Sequence, residues 1–207
     1  LYVEHEYWMY GKTNLGFIGV HYLNEVPIIT KLGLFKSDPQ ISFLEGMRAK
    51  IVEKVVSTKA RRIVIDPGIG DDEIKGLPRE KVVRIPLGVR KKGRRSKAKG
   101  RNVLFFGLIS PHKGVDNLIR ALHYLRDVRV MIAGRPDRVD KRHLVESAKE
   151  VQGNEILFDF GWVPNEKKHE YFKQSDVVVL PYTLRGFQSG VLFEALGYGI
   201  PCVVSGI

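Results

Sequence analysis

The chain has 207 residues, 43% of them hydrophobic, and carries a formal net charge of +11 at pH 7. This composition supports a packed core of one large or two modest domains and excludes an intrinsically disordered protein. A single cysteine, Cys202, excludes a disulfide framework and a CxxC metal site, which fits the reducing cytoplasm. No apolar stretch reaches the roughly 18 residues that would span a bilayer.

Residues 1–89 are predicted to form a partial α/β domain. Residues 1–5 are strand-like, and strands are also predicted at 62–65 and 82–85, with a short helix near 71–75 between them. Apolar residues at helical spacing precede these two strands: Leu44, Met47, Ile51 and Val55. Because few strands can be recognised, we expect this sheet to lack partners.

Two features of this N-terminal region bear on function. His5 lies at the end of the first predicted strand, where a parallel sheet opens its ligand crevice, although a lone histidine is more often structural. Between Lys12 and Lys31 the only fully charged side chain is Glu25. This apolar stretch is either a buried segment or a surface that meets a lipid or hydrophobic acceptor.

A basic run follows the N-terminal region. Eight basic residues lie within the twelve positions 90–101: Arg90, Lys91, Lys92, Arg94, Arg95, Lys97, Lys99 and Arg101. Since the run also contains two glycines and no aromatic residue, it is typical of a solvated interdomain linker. Nucleic-acid binding is disfavoured because base stacking needs aromatic side chains, and an anionic membrane surface is the remaining alternative.

From residue 102 onward strands and helices alternate, which is typical of a doubly wound parallel sheet. Five short strands are predicted at 103–106, 128–133, 156–160, 177–180 and 202–205. An amphipathic helix is expected after Gly114, and another from an N-cap at Asn165 to about Gln174, with Tyr171 and Phe172 turned inward. Residues 102–207 are therefore predicted to form a Rossmann-like domain.

Two glycine-marked turns in this domain, at 106–114 and 188–191, each follow a strand and open a helix. Helix N-termini present backbone N–H groups and a partial positive charge, so two such ends together with Lys113 would bind a pyrophosphate. Because Gly114 and not Ser or Thr follows Lys113, the first turn is not a Walker A element. An ordinary surface lysine is the alternative.

Glu194 lies four residues after Gly190, which places both on one face of the predicted helix. Its carboxylate can accept two hydrogen bonds from the hydroxyl groups of a ribose. The alternative is a helix glutamate that faces solvent.

Taken together, these pieces resemble the retaining glycosyltransferases of family 4. The resemblance covers residues 86–207 and is carried by motifs in a fixed order: Ile85-Pro86-Leu87-Gly88-Val89, Phe106-Gly107 with Lys113-Gly114, Phe160-Gly161-Trp162-Val163, Ser175-Asp176-Val177 through Pro181-Tyr182, and Gln188 through Ser205. It implies the GT-B fold, with two Rossmann-like domains, and transfer of a sugar from a nucleotide-diphosphate sugar to an unknown acceptor with retention of configuration. Neither a cofactor nor a metal ion is implied, and the enzyme would be cytoplasmic, with an anionic membrane surface as an alternative partner.

The resemblance also implies roles for individual residues. Lys113 would bind the donor diphosphate, Glu194 the ribose, and the turn from Gly161 to Val163 the base. His5 would face the donor sugar from the N-terminal domain. The other donor-binding residues would be Gly107, Gly114, Gln188, Ser189, Gly190 and Val191, the last three through backbone groups near the distal phosphate and the sugar.

The sequence departs from the family pattern at two positions. Gly186 stands where the family has the first of two glutamates, and Leu108 stands where an arginine usually follows the first glycine. Lys113 would then be the only cation on the diphosphate, and a nucleotide-sugar-binding module without catalysis is the alternative to an enzyme. Elements at both ends of the family's fold are missing, so we expect the chain to be the central portion of such an enzyme, with the N-terminal domain incomplete and the C-terminal one truncated.

Overall fold

The computed structural model describes two stretches of strand backbone and most of the chain after them. The described residues are 2–5, 28–32, 51, 54–55, 57–72, 74–93, 100–184 and 189–206. The chain divides into two compact units, Leu1–Leu87 and Gly88–Ile207, and each unit contains a parallel sheet. The α/β fold predicted from the sequence is confirmed.

The first unit contains a four-stranded sheet in the order β1-β2-β3-β4. Its strands are β1 (Tyr2–His5), β2 (Ile28–Leu32), β3 (Ala60–Ile65) and β4 (Val82–Arg84), and every pair is parallel. The prediction that this sheet lacks partners is wrong, because the sequence does not mark β2. The run Ile-Ile-Thr-Lys-Leu has no alternation of apolar and polar residues, so only its pairing with β1 and β3 identifies it as a strand.

Residues 71–75, predicted as a helix, form successive turns in the described part of the segment. The amide of Ile74 donates to the Asp71 carbonyl at 3.3 Å, and the amide of Leu77 donates to the Ile74 carbonyl at 2.8 Å. Glycines at 70 and 76 and a proline at 78 confine the segment to fewer residues than a stable helix needs.

Helical backbone precedes β3 at residues 51, 54–55 and 57–59, as the apolar spacing predicts. Val55 is buried there, whereas the side chain of Ile51 is half exposed. Leu44, Met47 and the apolar stretch at 12–27 lie outside the described residues.

The second unit contains a five-stranded parallel sheet in the order β7-β6-β5-β8-β9. The strands are β5 (Asn102–Phe106), β6 (Arg129–Gly134), β7 (Glu155–Phe160), β8 (Val177–Leu180) and β9 (Cys202–Val204), so each prediction is confirmed to within one residue at either end. The helices are α1 (Val115–Ala121), α2 (Lys141–Lys149), α3 (Asn165–Gln174) and α4 (Gly190–Gly197). The strand order reverses beside β5, and a ligand crevice is expected beyond the carboxyl ends of β5 and β8.

Both faces of this sheet are covered by helices. Alternate residues of β5 point to opposite sides, so Phe105 packs in a cluster with Leu118 of α1 and Leu144 of α2. Leu104 packs in a second cluster with Phe172 of α3 and Ala195 of α4. Burial on both faces explains why this strand reads as a continuous apolar run.

The helix α3 confirms one prediction and corrects another. Phe172 is fully buried and Tyr171 is partly buried, as expected. Asn165 is not the N-cap, however. Pro164 occupies that position in an extended conformation, Asn165 is the first helical residue, and no side chain caps the helix.

The helix α2 is not predicted from its apolar pattern, because only Leu144 and Ala148 of its nine residues are buried. The signal that marks it is the residue before it. Asp140 is the N-cap, and its carboxylate accepts a hydrogen bond of 2.9 Å from the amide of Arg142.

Candidate functional site

The two glycine-marked turns lie side by side beyond the carboxyl ends of β5 and β8. Gly107 ends β5 with a φ of +120°, and a Cβ at this position would lie 3.4 Å from Cγ2 of Val191 in the first turn of α4. The parallel pairing of β5 with β8 explains this approach, because α4 follows β8. The structure therefore brings Gly107, Ser189, Gly190 and Val191 to one place.

A second glycine contact holds the first turn in position. Gly134, at the end of β6, has a φ of +147°, and a Cβ there would overlap the carbonyl oxygen of Gly107 at 1.7 Å. The amide of Gly107 donates to the Ala133 carbonyl at 3.0 Å. Any side chain at 134 would therefore displace the Gly107 peptide from its place opposite Val191.

The segment from Pro111 to Gly114 packs against the chain that leaves β8. Gly114 has a φ of +68°, and a Cβ there would lie 1.9 Å from the Pro181 carbonyl oxygen. Two residues after Pro181, the amide of Thr183 donates at 2.9 Å to the carbonyl of His112, which lies two residues before Gly114. Glycine is therefore required at 114. The helix α1 that follows has seven residues and no side-chain cap, so Lys113 and α4 are the stronger candidates for holding an anion.

Lys113 lies within this arrangement and is half buried. Its Nζ lies 3.8 Å from the centroid of the Tyr182 ring, which is within the range of a cation–π contact. Burial lowers the pKa of Lys113 below its ordinary value. Because it is half buried and has an aromatic contact, Lys113 is not an ordinary surface lysine.

Tyr182 connects Lys113 to the start of α4. The hydroxyl groups of Tyr182 and Ser189 share a hydrogen bond of 2.9 Å. Ser189 is the N-cap of α4, and its Oγ accepts a long hydrogen bond of 3.4 Å from the amide of Leu192. Sequence reasoning missed Tyr182, although its position directly after β8, at the carboxyl edge of the sheet, is the signal that could have identified it.

Glu194 lies on the second turn of α4 and does not face solvent. Its Oε1 is enclosed and forms no hydrogen bond within the described part of the chain. The same atom nonetheless lies 3.3 Å from Nζ of Lys92 and 3.5 Å from Nζ of Lys168. We interpret these as ionic contacts without hydrogen-bond alignment. The carboxylate thus lies between two ammonium groups, neither of which the sequence assigned to it.

The start of the basic run packs on α4. The amide of Lys92 donates to the Gly197 carbonyl at 2.8 Å. A Cβ at Gly197 would lie 2.4 Å from the carbonyl oxygen of Arg90, so glycine is needed for this contact. The prediction of a solvated linker is therefore wrong for Lys92, because its backbone and side chain are both engaged, while residues 94–99 lie outside the described part.

The turn after β7 is the third element at this edge. Gly161 has a φ of +138°, Val163 is partly buried, and Trp162, which the sequence analysis did not select, is 88% exposed. The amide of Gly161 donates to the Gly134 carbonyl at 3.0 Å. This bond joins the turn to the glycine that supports Gly107.

A carboxylate at the end of β7 fixes the neighbouring helix. Asp159 accepts a hydrogen bond of 2.8 Å from the Tyr171 hydroxyl and lies 3.0 Å from Nζ of Lys167. Burial acts to raise the pKa of Asp159, but the hydrogen bonds from Lys167 and Tyr171 outweigh it and hold this pKa below its ordinary value. Asp159 therefore has a structural role in joining β7 to α3.

For two predicted site residues the structure describes no side chain. His5 ends β1 in the other unit, where only the strand backbone is described. Gln188 lies outside the described residues, as does Gly186. Leu108, where the family pattern has an arginine, is partly exposed at the first turn.

Among the helices in the described part of the chain, none combines the length and apolarity that crossing a bilayer requires.

The edge that these residues form offers the half-buried ammonium group of Lys113, the amide end of an eight-residue helix and, further along the same helix, a carboxylate with two lysine partners. A cation and helix amides bind anions, whereas a carboxylate accepts hydrogen bonds from hydroxyl groups. The arrangement therefore suits a ligand with phosphate at one end and hydroxyl groups at the other.

Residues 100–207, slightly more than half of the chain, match the family model described as Glycosyl transferases group 1. No curated protein matches the chain significantly.

Several solved structures share this fold. HepE of Anabaena, solved with UDP, aligns with a TM-score of 0.70 at 16% identity, over 91% of this chain and 56% of HepE. TarM aligns with a TM-score of 0.63 at 15% identity, over 89% of this chain and 37% of TarM. A UDP-forming trehalose-phosphate synthase from Burkholderia vietnamiensis aligns with a TM-score of 0.62 at 14% identity, over 98% of this chain and 58% of the synthase. The chain thus spans between about a third and three fifths of the length of these proteins.

Proposed function

As the chain belongs to the group 1 glycosyl transferases, we propose that it binds a nucleotide-diphosphate sugar and serves to transfer the sugar to an acceptor with retention of anomeric configuration. The observation that carries this proposal is the meeting of the two glycine turns at Gly107 and Val191, beside a half-buried lysine. HepE, a protein of similar fold, has been solved in complex with UDP-glucose, which supports the choice of a nucleotide sugar as donor.

The diphosphate is placed between Lys113 and the first turn of α4. The amides of Gly190 and Val191 are among the first in this helix, which have no partner within it, and the helix dipole adds a partial positive charge. Lys113 supplies the full charge that helix amides lack. Because Leu108 stands where the family pattern has an arginine, Lys113 would be the single cation on the diphosphate.

The nucleoside is placed along the same edge. Glu194 lies one helical turn beyond Gly190, and its carboxylate would accept hydrogen bonds from the two ribose hydroxyls. Backbone groups from Gly161 to Val163 would contact the base, and the exposed Trp162 ring lies in the same turn. His5 would face the sugar, as the resemblance implies.

Catalysis would come from stabilising the leaving diphosphate. The bond between the anomeric carbon and the phosphate oxygen breaks, and its electron pair goes to the diphosphate. The acceptor hydroxyl forms the new bond on the same face and gives its proton to the departing phosphate oxygen. Because charge accumulates on the diphosphate in the transition state, Lys113 contributes more to turnover than to donor binding. No metal ion enters this scheme, which we place in the cytoplasm.

A thermal-shift panel of UDP-, GDP- and ADP-sugars tests the binding step. A nucleotide that binds the native state raises the midpoint of unfolding by mass action, and we expect one of the three to do so. If all three leave the midpoint unchanged at millimolar concentration, the proposal is wrong.

A nucleotide-sugar-binding module without catalysis is the second candidate. The partly exposed Leu108 at the turn where the family carries an arginine is the observation that favours it. Donor turnover by the protein, followed with a radiolabelled sugar, separates the two functions. Binding without either transfer or hydrolysis supports the module.

A further inference from the structure

We infer that Tyr182 is a positioning residue of the proposed diphosphate site. Its ring holds the Lys113 ammonium group in place, and its hydroxyl connects that group to the first turn of α4. This inference rests on the proposed function and adds to it a residue to which the family resemblance gave no role.

The backbone fixes Tyr182 against Lys113. On one side, the Pro181 carbonyl is packed so closely against Gly114 that no Cβ fits there. On the other side, Thr183 is hydrogen-bonded to His112. With its two neighbours held in this register, residue 182 lies opposite residue 113, and the 3.8 Å distance from the ammonium to the ring centroid follows from it.

An aromatic ring is suited to hold a cation that must bind an anion. Among the described residues, no carboxylate forms an ion pair with Lys113 and so none cancels its charge. Lys167 provides the contrast within the same unit, since it lies 5.7 Å from the Tyr171 ring centroid but also 3.0 Å from the Asp159 carboxylate. A ring orients an ammonium group through its quadrupole without neutralising it, whereas a carboxylate would compete with the phosphate.

The hydroxyl of Tyr182 extends this effect to α4. Through its 2.9 Å hydrogen bond it fixes the Ser189 side chain that caps the helix. The cation and the helix amides are the two groups proposed to bind one diphosphate, and Tyr182 is the side chain that contacts both sides. Removing the ring should therefore weaken anion binding through Lys113, and removing the hydroxyl alone should have a smaller effect through α4.

A double-mutant cycle with inorganic pyrophosphate, measured by titration calorimetry on the full chain, tests this inference. We expect Tyr182→Ala to weaken pyrophosphate binding about threefold to tenfold, the range of a partly desolvated cation–π contact. In a Lys113→Met background the same change should have only the smaller effect of the lost hydroxyl, because the ring acts through Lys113. Tyr171→Ala removes the ring beside the carboxylate-paired Lys167 and serves as the matched control, with unchanged affinity.

Two further variants keep the inference testable if Tyr182→Ala does not fold. Tyr182→Leu removes the ring face but keeps an apolar side chain, and it should reproduce the loss. Tyr182→Phe keeps the ring and loses the hydroxyl, and it should retain most of the affinity. If Tyr182→Ala lowers pyrophosphate affinity equally in the unmutated and the Lys113→Met backgrounds, Tyr182 is merely a structural residue and the inference is overturned. If the unmutated chain binds neither pyrophosphate nor any nucleotide sugar, the proposed function fails as well.

Discussion

The first and second turns of α4 lie beside charges that are held in opposite ways. At its first turn a lysine ammonium lies over an aromatic ring, and no carboxylate of the described residues pairs with it. On the following turn a glutamate carboxylate lies between the ammonium groups of Lys92 and Lys168. The first charge is left available for an anion, and the second is balanced by the protein itself.

This difference matches the two parts of a nucleotide diphosphate. A diphosphate brings its own negative charge, so its site needs a cation that nothing else neutralises. A ribose is neutral, and a carboxylate that accepts its hydroxyl groups must be balanced by other residues, since an unpaired buried charge is costly. In the proposed site, the first turn of α4 would therefore meet the diphosphate and the second turn the ribose.

Substitution of Lys113 is expected to give the largest effect. Lys113→Met should lower sugar turnover about 100-fold or more, the usual cost of removing one group that stabilises charge in a transition state. Donor affinity should fall less, because the developing charge is greatest in the transition state. Steady-state kinetics with a nucleotide sugar measure both quantities.

The matched control for this variant is Lys149→Met, which removes an exposed lysine on α2 that pairs only with Glu146 among the described residues. It should leave turnover unchanged. Turnover that is also unchanged in Lys113→Met would remove the cation from the mechanism.

A pair of glycine substitutions tests the backbone packing of residues 111–114 against residues 181–183. Gly114 and Gly199 have the same φ of +68°, but a Cβ at 114 would collide with Pro181, whereas nothing lies within 4 Å of one at 199. Gly199→Ala should therefore lower the free energy of unfolding by about 1 kcal/mol from backbone strain alone. Gly114→Ala should lower it by about 2–4 kcal/mol, since steric overlap adds to the strain.

Denaturant unfolding of the two variants measures this difference. Gly114→Ala should also weaken pyrophosphate binding, because it moves Tyr182 away from Lys113. Equal stability of the two alanine variants would mean that residues 111–114 are not packed against residues 181–183.

Glu194→Gln tests the carboxylate on the second turn of α4. An amide keeps the shape of the side chain but loses the charge that strengthens hydrogen bonds from a ribose, so UDP should bind about tenfold more weakly. Pyrophosphate, which has no ribose, should bind as it does to the unmutated chain. Calorimetric titration with UDP and with pyrophosphate separates the ribose contact from the diphosphate contact. An equal loss of affinity for both ligands would mean that the two contacts are not independent.

The pH dependence of binding is expected to give the smallest effect. Burial places the pKa of Lys113 below the ordinary 10.5. As the pH rises through the lowered pKa, the ammonium group loses its proton, and pyrophosphate affinity should fall by up to about tenfold per pH unit. The pyrophosphate affinity of the Lys113→Arg variant should not fall in this way over the same pH range, because arginine remains protonated.

Stability should change in the opposite direction over this window. Between the lowered pKa and 10.5 the unfolded chain binds more protons than the folded one, so the free energy of unfolding rises with pH. The cost of burying the charged group is fully present below the folded-state pKa. The difference in free energy of unfolding between the unmutated chain and Lys113→Met measures the contribution of Lys113 to stability. If this contribution falls as the pH rises through this range, the burial of the ammonium group is contradicted.

The sequence predicted the second unit well because its strands and first glycine turn are local patterns. Each strand is a short apolar run bounded by turn residues. Gly107 marks a backbone with a φ of +120°, and Gly114 marks a position where a Cβ has no room. These signals do not depend on distant parts of the chain. In the first unit, β2 depends on two neighbouring strands for its identity, and the sequence did not reveal it.

The contacts that characterise the candidate site were not predicted, since they join residues far apart in the chain. Lys92 is one of eight basic residues in its run, and only folding brings it to Glu194. Lys168 lies on the polar helix α3, where nothing in the local pattern separates it from Lys167. Tyr182 belongs to one of the motifs identified in the sequence. Its proposed role was not predicted, because it depends on how residues 112–114 pack against residues 181–183.

The most direct test of the account is a crystal structure of the chain with UDP. The account predicts the diphosphate within about 3 Å of Nζ of Lys113 and of the amides of Gly190 and Val191, with the ribose hydroxyls on Glu194. A diphosphate bound elsewhere, with Lys113 still on the Tyr182 ring and in no contact with it, would contradict the account.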